Sequence, residues 1–173
     1  LMSDCRVIVS EGRAFPVETR HLPREARSRI DEDMLRAIRI ALRAERGSIL
    51  AFLPGQSEIR RVAQALEHDL PEDTELAPLY GAMDRAAQDR AVLPAKAGKR
   101  KIVLATSIAE TSLTIEGVRV VIDSGLARVP GFEPDLGLTR LETMRVSRAA
   151  ADQRRGRAGR TEPGVCYRLW EEA

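Results

Sequence analysis

Two hydrophobic periods run through this chain and take turns. From Asp31 to Ala44 the apolar residues Met34, Leu35, Ile38, Ala41 and Leu42 recur at helical spacing, and Arg46-Gly47 follows as a stop signal, so the spacing predicts a helix. Ser48 to Leu53 is a continuous apolar run of strand length. After the turn Pro54-Gly55-Gln56, the residues Ile59, Val62, Ala63, Leu66 and Leu70 share one face of a second helix. The alternation then repeats, with a strand over Thr74 to Tyr80, a helix over Asp84 to Leu93, a strand over Lys101 to Thr106, a short helix over Ser107 to Leu113 and a strand over Arg119 to Asp123. Upstream, Phe15 to Leu22 alternates weakly and reads as a strand, after a short extended segment at Arg6 to Val9.

Apolar strands without polar alternation are buried on both faces, and strands that alternate with amphipathic helices build a parallel sheet covered on both sides. The predicted fold class is therefore α/β, a doubly wound parallel sheet. Beyond Ser124-Gly125 the pattern changes. Leu126 to Val129 and Leu138 to Val146 flank a Pro/Gly/Asp-rich segment, which predicts a protruding β-hairpin over about 126–146. A last helix from Ala149 and a strand at Val165 to Trp170 complete the pattern. The chain has 173 residues, the length of one domain at about 150 residues per domain.

Composition narrows the partners. Hydrophobic residues make up 43% and charged residues 31%, with no apolar run near the roughly 18 residues of a membrane span, so a soluble protein without a membrane partner is expected. Aromatic residues are only 3%, which argues against binding single strands by base stacking; nucleic-acid contacts would go through the backbone. Cys5, Cys166, His21 and His68 have no metal-site spacing, so no metal ligands are expected. No export signal is legible, and the expected location is cytoplasmic with reduced thiols. Of the 28 basic residues only Lys96, Lys99 and Lys101 are lysines, a bias that matters where arginines cluster.

They cluster at Gln153-Arg154-Arg155-Gly156-Arg157-Ala158-Gly159-Arg160. Interior glycines and like charges three or four apart both weaken a helix. A solvated basic face would not need the glycines. Helical spacing puts Gln153, Arg157 and Arg160 on one face, with Gly156 and Gly159 permitting close approach, and an anion of high charge density suits that face. Thr106 to Thr114 carries five hydroxyls at a strand end. Ser107 and Glu110 have the form of a capping box, which alone would explain them; Thr111, Ser112 and Thr114 fit contacts to a sugar-phosphate backbone instead. The turn Pro54-Gly55-Gln56 is by itself ordinary loop chemistry.

Taken in order, these segments resemble the second RecA-like domain of DEAH-box helicases. Gly12 to Val17 is similar to the lead-in to that domain, Phe52 to Ile59 to motif IV, Leu79-Tyr80-Gly81 to the next block, Ala105 to Gly117 to motif V, Val121 to Gly125 to the segment after it, and Gln153 to Arg160 to motif VI. The resemblance implies one such domain over residues 1–173, with 1–20 leading in from a preceding domain. It implies that Gln153 faces the attacking water and the γ-phosphate, with Arg157 and Arg160 as arginine fingers. Ser112, Thr114, Glu116 and Val92 would face the nucleotide, and Gly55, Gln56, Thr106 and Ser107 the backbone of single-stranded RNA, or of DNA. Many relatives have an aromatic residue where Val92 stands and an aspartate where Glu116 stands. No G-x-x-x-x-G-K-[ST] loop or Asp-Glu-Ala-His sequence occurs in these residues, so ATP and Mg²⁺ would be held mainly by the preceding RecA-like domain, and this domain alone would be inactive. Two other readings compete: a stand-alone nucleic-acid-binding module without ATPase activity, and an α/β domain that holds a small phosphorylated ligand.

Overall fold

Ile49 and Ala51 point to one side of their strand and Leu50 and Phe52 to the other, and all four are almost completely buried. A strand buried on both faces needs cover on both faces. The computed structural model describes residues 14–111, 113–133 and 138–172, and supplies that cover. Six strands form the main sheet: β1 (Val17–His21), β2 (Ser48–Phe52), β3 (Thr74–Leu79), β4 (Arg100–Ala105), β5 (Val118–Asp123) and β8 (Gly164–Arg168). All pair in parallel, in the order β1-β8-β5-β2-β4-β3. Helices α1 (Ile30–Ala44) and α2 (Gln56–Leu66) lay Met34, Ile38, Ile59, Val62 and Leu66 on one face. The other face is covered by α3 (Arg85–Val92), by the segment between β4 and β5, and by the 3₁₀ turn Arg157–Gly159 that follows α4 (Arg148–Gly156), through Ala91, Ala109, Ile115 and Ala158. The α/β doubly wound sheet expected from the pattern is the fold observed.

The excursion after β5 is a hairpin of β6 (Leu126–Glu133) and β7 (Leu138–Arg145), antiparallel from Leu126 opposite Arg145 to Glu133 opposite Leu138. Two strands alone are marginal in water, so the root matters. Val146 N–H donates to the Gly125 carbonyl at 2.9 Å, and the Ser147 hydroxyl caps α4 by accepting from Ala150 N–H at 3.1 Å.

Three differences from the sequence expectation are local. The helix predicted over Ser107 to Leu113 is only a 3₁₀ turn at Ser107–Ala109, with Thr106 rather than Ser107 at the N-cap position, no side-chain cap bond from it, and no capping box. The Glu110 carboxylate is taken instead by the buried Arg154 guanidinium at 2.7 Å, because a charge-assisted bond in a dry site outcompetes a backbone amide. Second, the basic helix ends at Gly156 and tightens into a 3₁₀ turn at Arg157–Gly159, so Arg157 and Arg160 do not continue an α-helical face. Third, β8 stops at Arg168, before Trp170. The extended segment at Arg6 to Val9 and the lead-in through Arg13 lie outside the described residues, as does Ser112.

Candidate nucleotide and nucleic-acid faces

Parallel strands all end at one edge, and loops leaving that edge are brought together. Phe52 of β2 pairs with Ala105 of β4, and Leu53 N–H donates to the Ala105 carbonyl at 2.8 Å. The turn carrying Gly55 and Gln56 and the turn carrying Thr106 and Ser107 therefore leave neighbouring strands side by side. These four predicted backbone-contacting residues form one patch at the carboxyl edge.

The other predicted residues lie elsewhere. From Thr106 the chain crosses the second face toward the start of β5, where the Gly117 carbonyl accepts from Ser48 N–H at 3.2 Å. Thr114 and Glu116 thus sit toward the amino ends of the strands, away from Gly55. The arginine segment meets this crossing piece. Arg157 is 7% exposed; its Nη1 donates to the Leu113 carbonyl at 2.9 Å and its Nη2 to the Glu110 carbonyl. Arg160 is exposed and donates through Nη1 to the Thr114 hydroxyl at 3.0 Å. Burial pulls the Arg157 guanidinium below its usual range, and Arg160 beside it adds to the effect against the opposing pull of Glu110. A guanidinium still carries its charge at neutral pH, so two cations stand together, one of them poorly solvated, and an anion would relieve both. Gln153 is exposed on α4. Val92, at the end of α3, is half-buried and packs on the second core with Ile108 and Leu113, so its side chain helps cover the sheet.

Sequence reasoning set Arg157 and Arg160 apart for an anion and gave Arg154 and Arg155 no partners, and the structure supplies them. Arg154 is fully buried and structural: Nε donates to Glu110 Oε1 and Nη1 to Asp123 Oδ1, both at 2.7 Å, and the guanidinium lies 4.8 Å above the Phe52 ring. Arg155 clips β1, through Nε to the Thr19 hydroxyl at 2.8 Å and Nη2 to the Val17 carbonyl at 2.5 Å. The two glycines differ. A side chain at Gly159 would lie 2.5 Å from the Phe15 carbonyl, so its close approach is to the chain ahead of β1. Gly156 faces open space. The missed signal was Asp123, a carboxylate closing the apolar run Val120-Val121-Ile122, which in a buried strand demands a cationic partner.

Residues 31–162 match the family described as helicase conserved C-terminal domain. The chain belongs to that family. It is 52% identical over 169 residues, 98% of its length, to the ATP-dependent RNA helicase HrpB of Escherichia coli, and covers 21% of that protein. It is 39% identical over 175 residues to the pre-mRNA-splicing factor ATP-dependent RNA helicase prp22 of Schizosaccharomyces pombe, of which it covers 15%. The crystal structure of the E. coli DExH-box NTPase HrpB superimposes with a TM-score of 0.88 at 53% identity, over 95% of this chain and 20% of that one. The fold is thus that of a RecA-like helicase domain with its hairpin, and the chain spans only 21% and 15% of the lengths of these two relatives.

Proposed function

We propose that this domain is the catalytic partner half of a DEAH-box ATP-dependent RNA helicase. One observation carries the reading: Arg157 and Arg160, from motif VI, converge on Glu110 to Thr114 of motif V, while the start of motif V stands with Gly55 and Gln56 at the carboxyl edge. One continuous segment therefore touches the cationic pair at one end and offers backbone-binding hydroxyls at the other.

In the mechanism, ATP sits in the cleft against the preceding RecA-like domain, which holds Mg²⁺ and the phosphate tail. On closure Arg157 leaves the carbonyls of Glu110 and Leu113 and, with Arg160, meets charge developing on the γ-phosphoryl oxygens. Gln153 orients the attacking water. Thr114 and Glu116 face the nucleotide and its ribose, and aliphatic Val92 leaves the base unstacked. Gly55, Gln56, Thr106 and Ser107 hold the single strand by its backbone, so hydrolysis and release move one half along it.

The test compares the isolated chain with the full-length protein. The isolated chain is expected to bind single-stranded RNA weakly and to hydrolyse no ATP, whereas the full-length protein shows RNA-stimulated turnover. RNA-stimulated hydrolysis by the isolated chain would overturn the division of labour.

A further inference from the structure

Gly55 opens α2 in extended backbone that any residue adopts, with φ −163°, so conformation does not explain the glycine. Space does. A side chain there would begin 2.2 Å from Nη1 and 2.8 Å from Cζ of Arg128, which belongs to β6 of the hairpin. The Arg128 guanidinium thus packs directly against the motif IV turn at Gly55. Its Nη2 donates to Glu58 Oε1 at 2.9 Å and its Nη1 to the Ser57 hydroxyl at 3.2 Å. Glu58 is itself 7% exposed and also holds Arg61 at 3.2 Å, which reaches Asp31 at 3.3 Å. The tie therefore ends in the body of the domain and not in a mobile side chain. On the other side of the hairpin root, Arg154 Nη1 donates to the Leu126 carbonyl at 3.2 Å.

We infer that Arg128 is a positioning residue for strand separation: seated on Gly55 and tied to Ser57 and Glu58, it fixes the hairpin to the backbone-binding turn so that the two move as one body. The inference rests on the proposed helicase function and, within it, takes the hairpin over about 126–146 as the element that separates strands and has no part in hydrolysis. The physical need is plain. A two-stranded ribbon has no stiffness of its own to push against a duplex. A charge-assisted, forked contact beside its root supplies that stiffness, and a forked cation matches the two acceptors offered by adjacent residues of one helix turn better than a point charge does. It also gives Gly55 a role in sequence that a simple loop glycine lacks.

The experiment uses the full-length protein with Arg128→Ala, Arg128→Lys and, separately, Gly131 to Leu136 replaced by a short turn. Unwinding of a tailed duplex is measured beside RNA-stimulated ATPase and RNA affinity, with hydrogen exchange of the β6 amides as a structural readout. Arg128→Ala is expected to slow unwinding about tenfold, as for loss of a charged hydrogen-bonded pair, to leave kcat, ATP KM and RNA affinity unchanged, and to speed exchange in β6 but not in α2. Arg128→Lys, which still reaches Glu58, should recover part of the loss. Normal unwinding and exchange in Arg128→Ala, with the shortened hairpin defective, would overturn the tie while leaving the hairpin reading intact. Weakened RNA affinity would instead make Arg128 a direct phosphate contact, and equal loss of ATPase and unwinding would make it a support of the fold; either outcome overturns the inference. An undiminished unwinding rate in the shortened hairpin would remove the reading beneath it.

Discussion

Two arginines three residues apart do opposite work here. Arg154 is buried with its charge satisfied by Glu110 and Asp123; Arg157 is almost as buried, and its partners among the described residues are two carbonyls. Removing Arg154 strands two carboxylates, one of them the fully buried Asp123, whose carboxyl burial pushes up in spite of Arg154. Arg154→Ala should therefore cost about 3–5 kcal/mol of folding stability, read as a lower urea midpoint. Arg157→Ala, which frees only carbonyls, should leave that midpoint nearly in place. Equal shifts would mean that the two arginines share one structural role. Cys166 is buried in β8, and burial pushes its thiol up to about 12. It should resist alkylation in the folded protein and react only in denaturant, as checked by mass spectrometry of the peptide containing it. The pairing of Arg157 with Arg160 was legible in the sequence, but the structural role of Arg154 was not, because its partners Glu110 and Asp123 come from distant positions that only the crossing of α4 over β5 brings together.

At the scale of elements, the parallel strands and α1 to α3 were legible because apolar runs and helical spacing are strong local signals. The motif V segment was not, since its short helix yields to contacts made by α4. A similar dependence on distant partners holds α1 and the sheet together in solution. Burial alone would raise the Glu45 carboxyl, yet hydrogen bonds from Arg119, Arg20 and Tyr167 overcome it and hold it below the usual range. Asp33 is lowered likewise, with burial outweighed by Ser28 and Arg24. A folded pKa below the unfolded value of about 4 gives stability that is complete above that pH and is lost as pH falls through the depressed value. Urea midpoints should thus decline steeply below about pH 4, and Glu45→Gln should flatten that decline while lowering the midpoint at pH 7. An unchanged acid limb in Glu45→Gln would show that the cluster does not contribute.

For the whole molecule, the account is of one half of a cleft with two separate faces. The proposed backbone-binding patch of Gly55, Gln56, Thr106 and Ser107 contains no aromatic residue, so RNA affinity should fall with salt through counterion release, with a log–log slope that reports the number of phosphates held. A salt-independent affinity would contradict backbone recognition. Because Val92 is aliphatic and offers no ring to stack on a base, the full-length enzyme should turn over ATP, GTP, CTP and UTP with similar kcat/KM, and Val92→Phe, which adds a ring at this half-buried position, should sharpen the preference. A strong preference for one base that Val92→Phe leaves unchanged would place base reading in the preceding domain. The most direct test is the RNA-stimulated kcat of the full-length protein carrying Arg157→Ala or Arg160→Ala. The account predicts a loss of about 10³- to 10⁵-fold in either, or ~4 to 7 kcal/mol of transition-state stabilisation, with RNA affinity in the absence of nucleotide unchanged and little rescue by Lys. Near-normal kcat in both variants would contradict it.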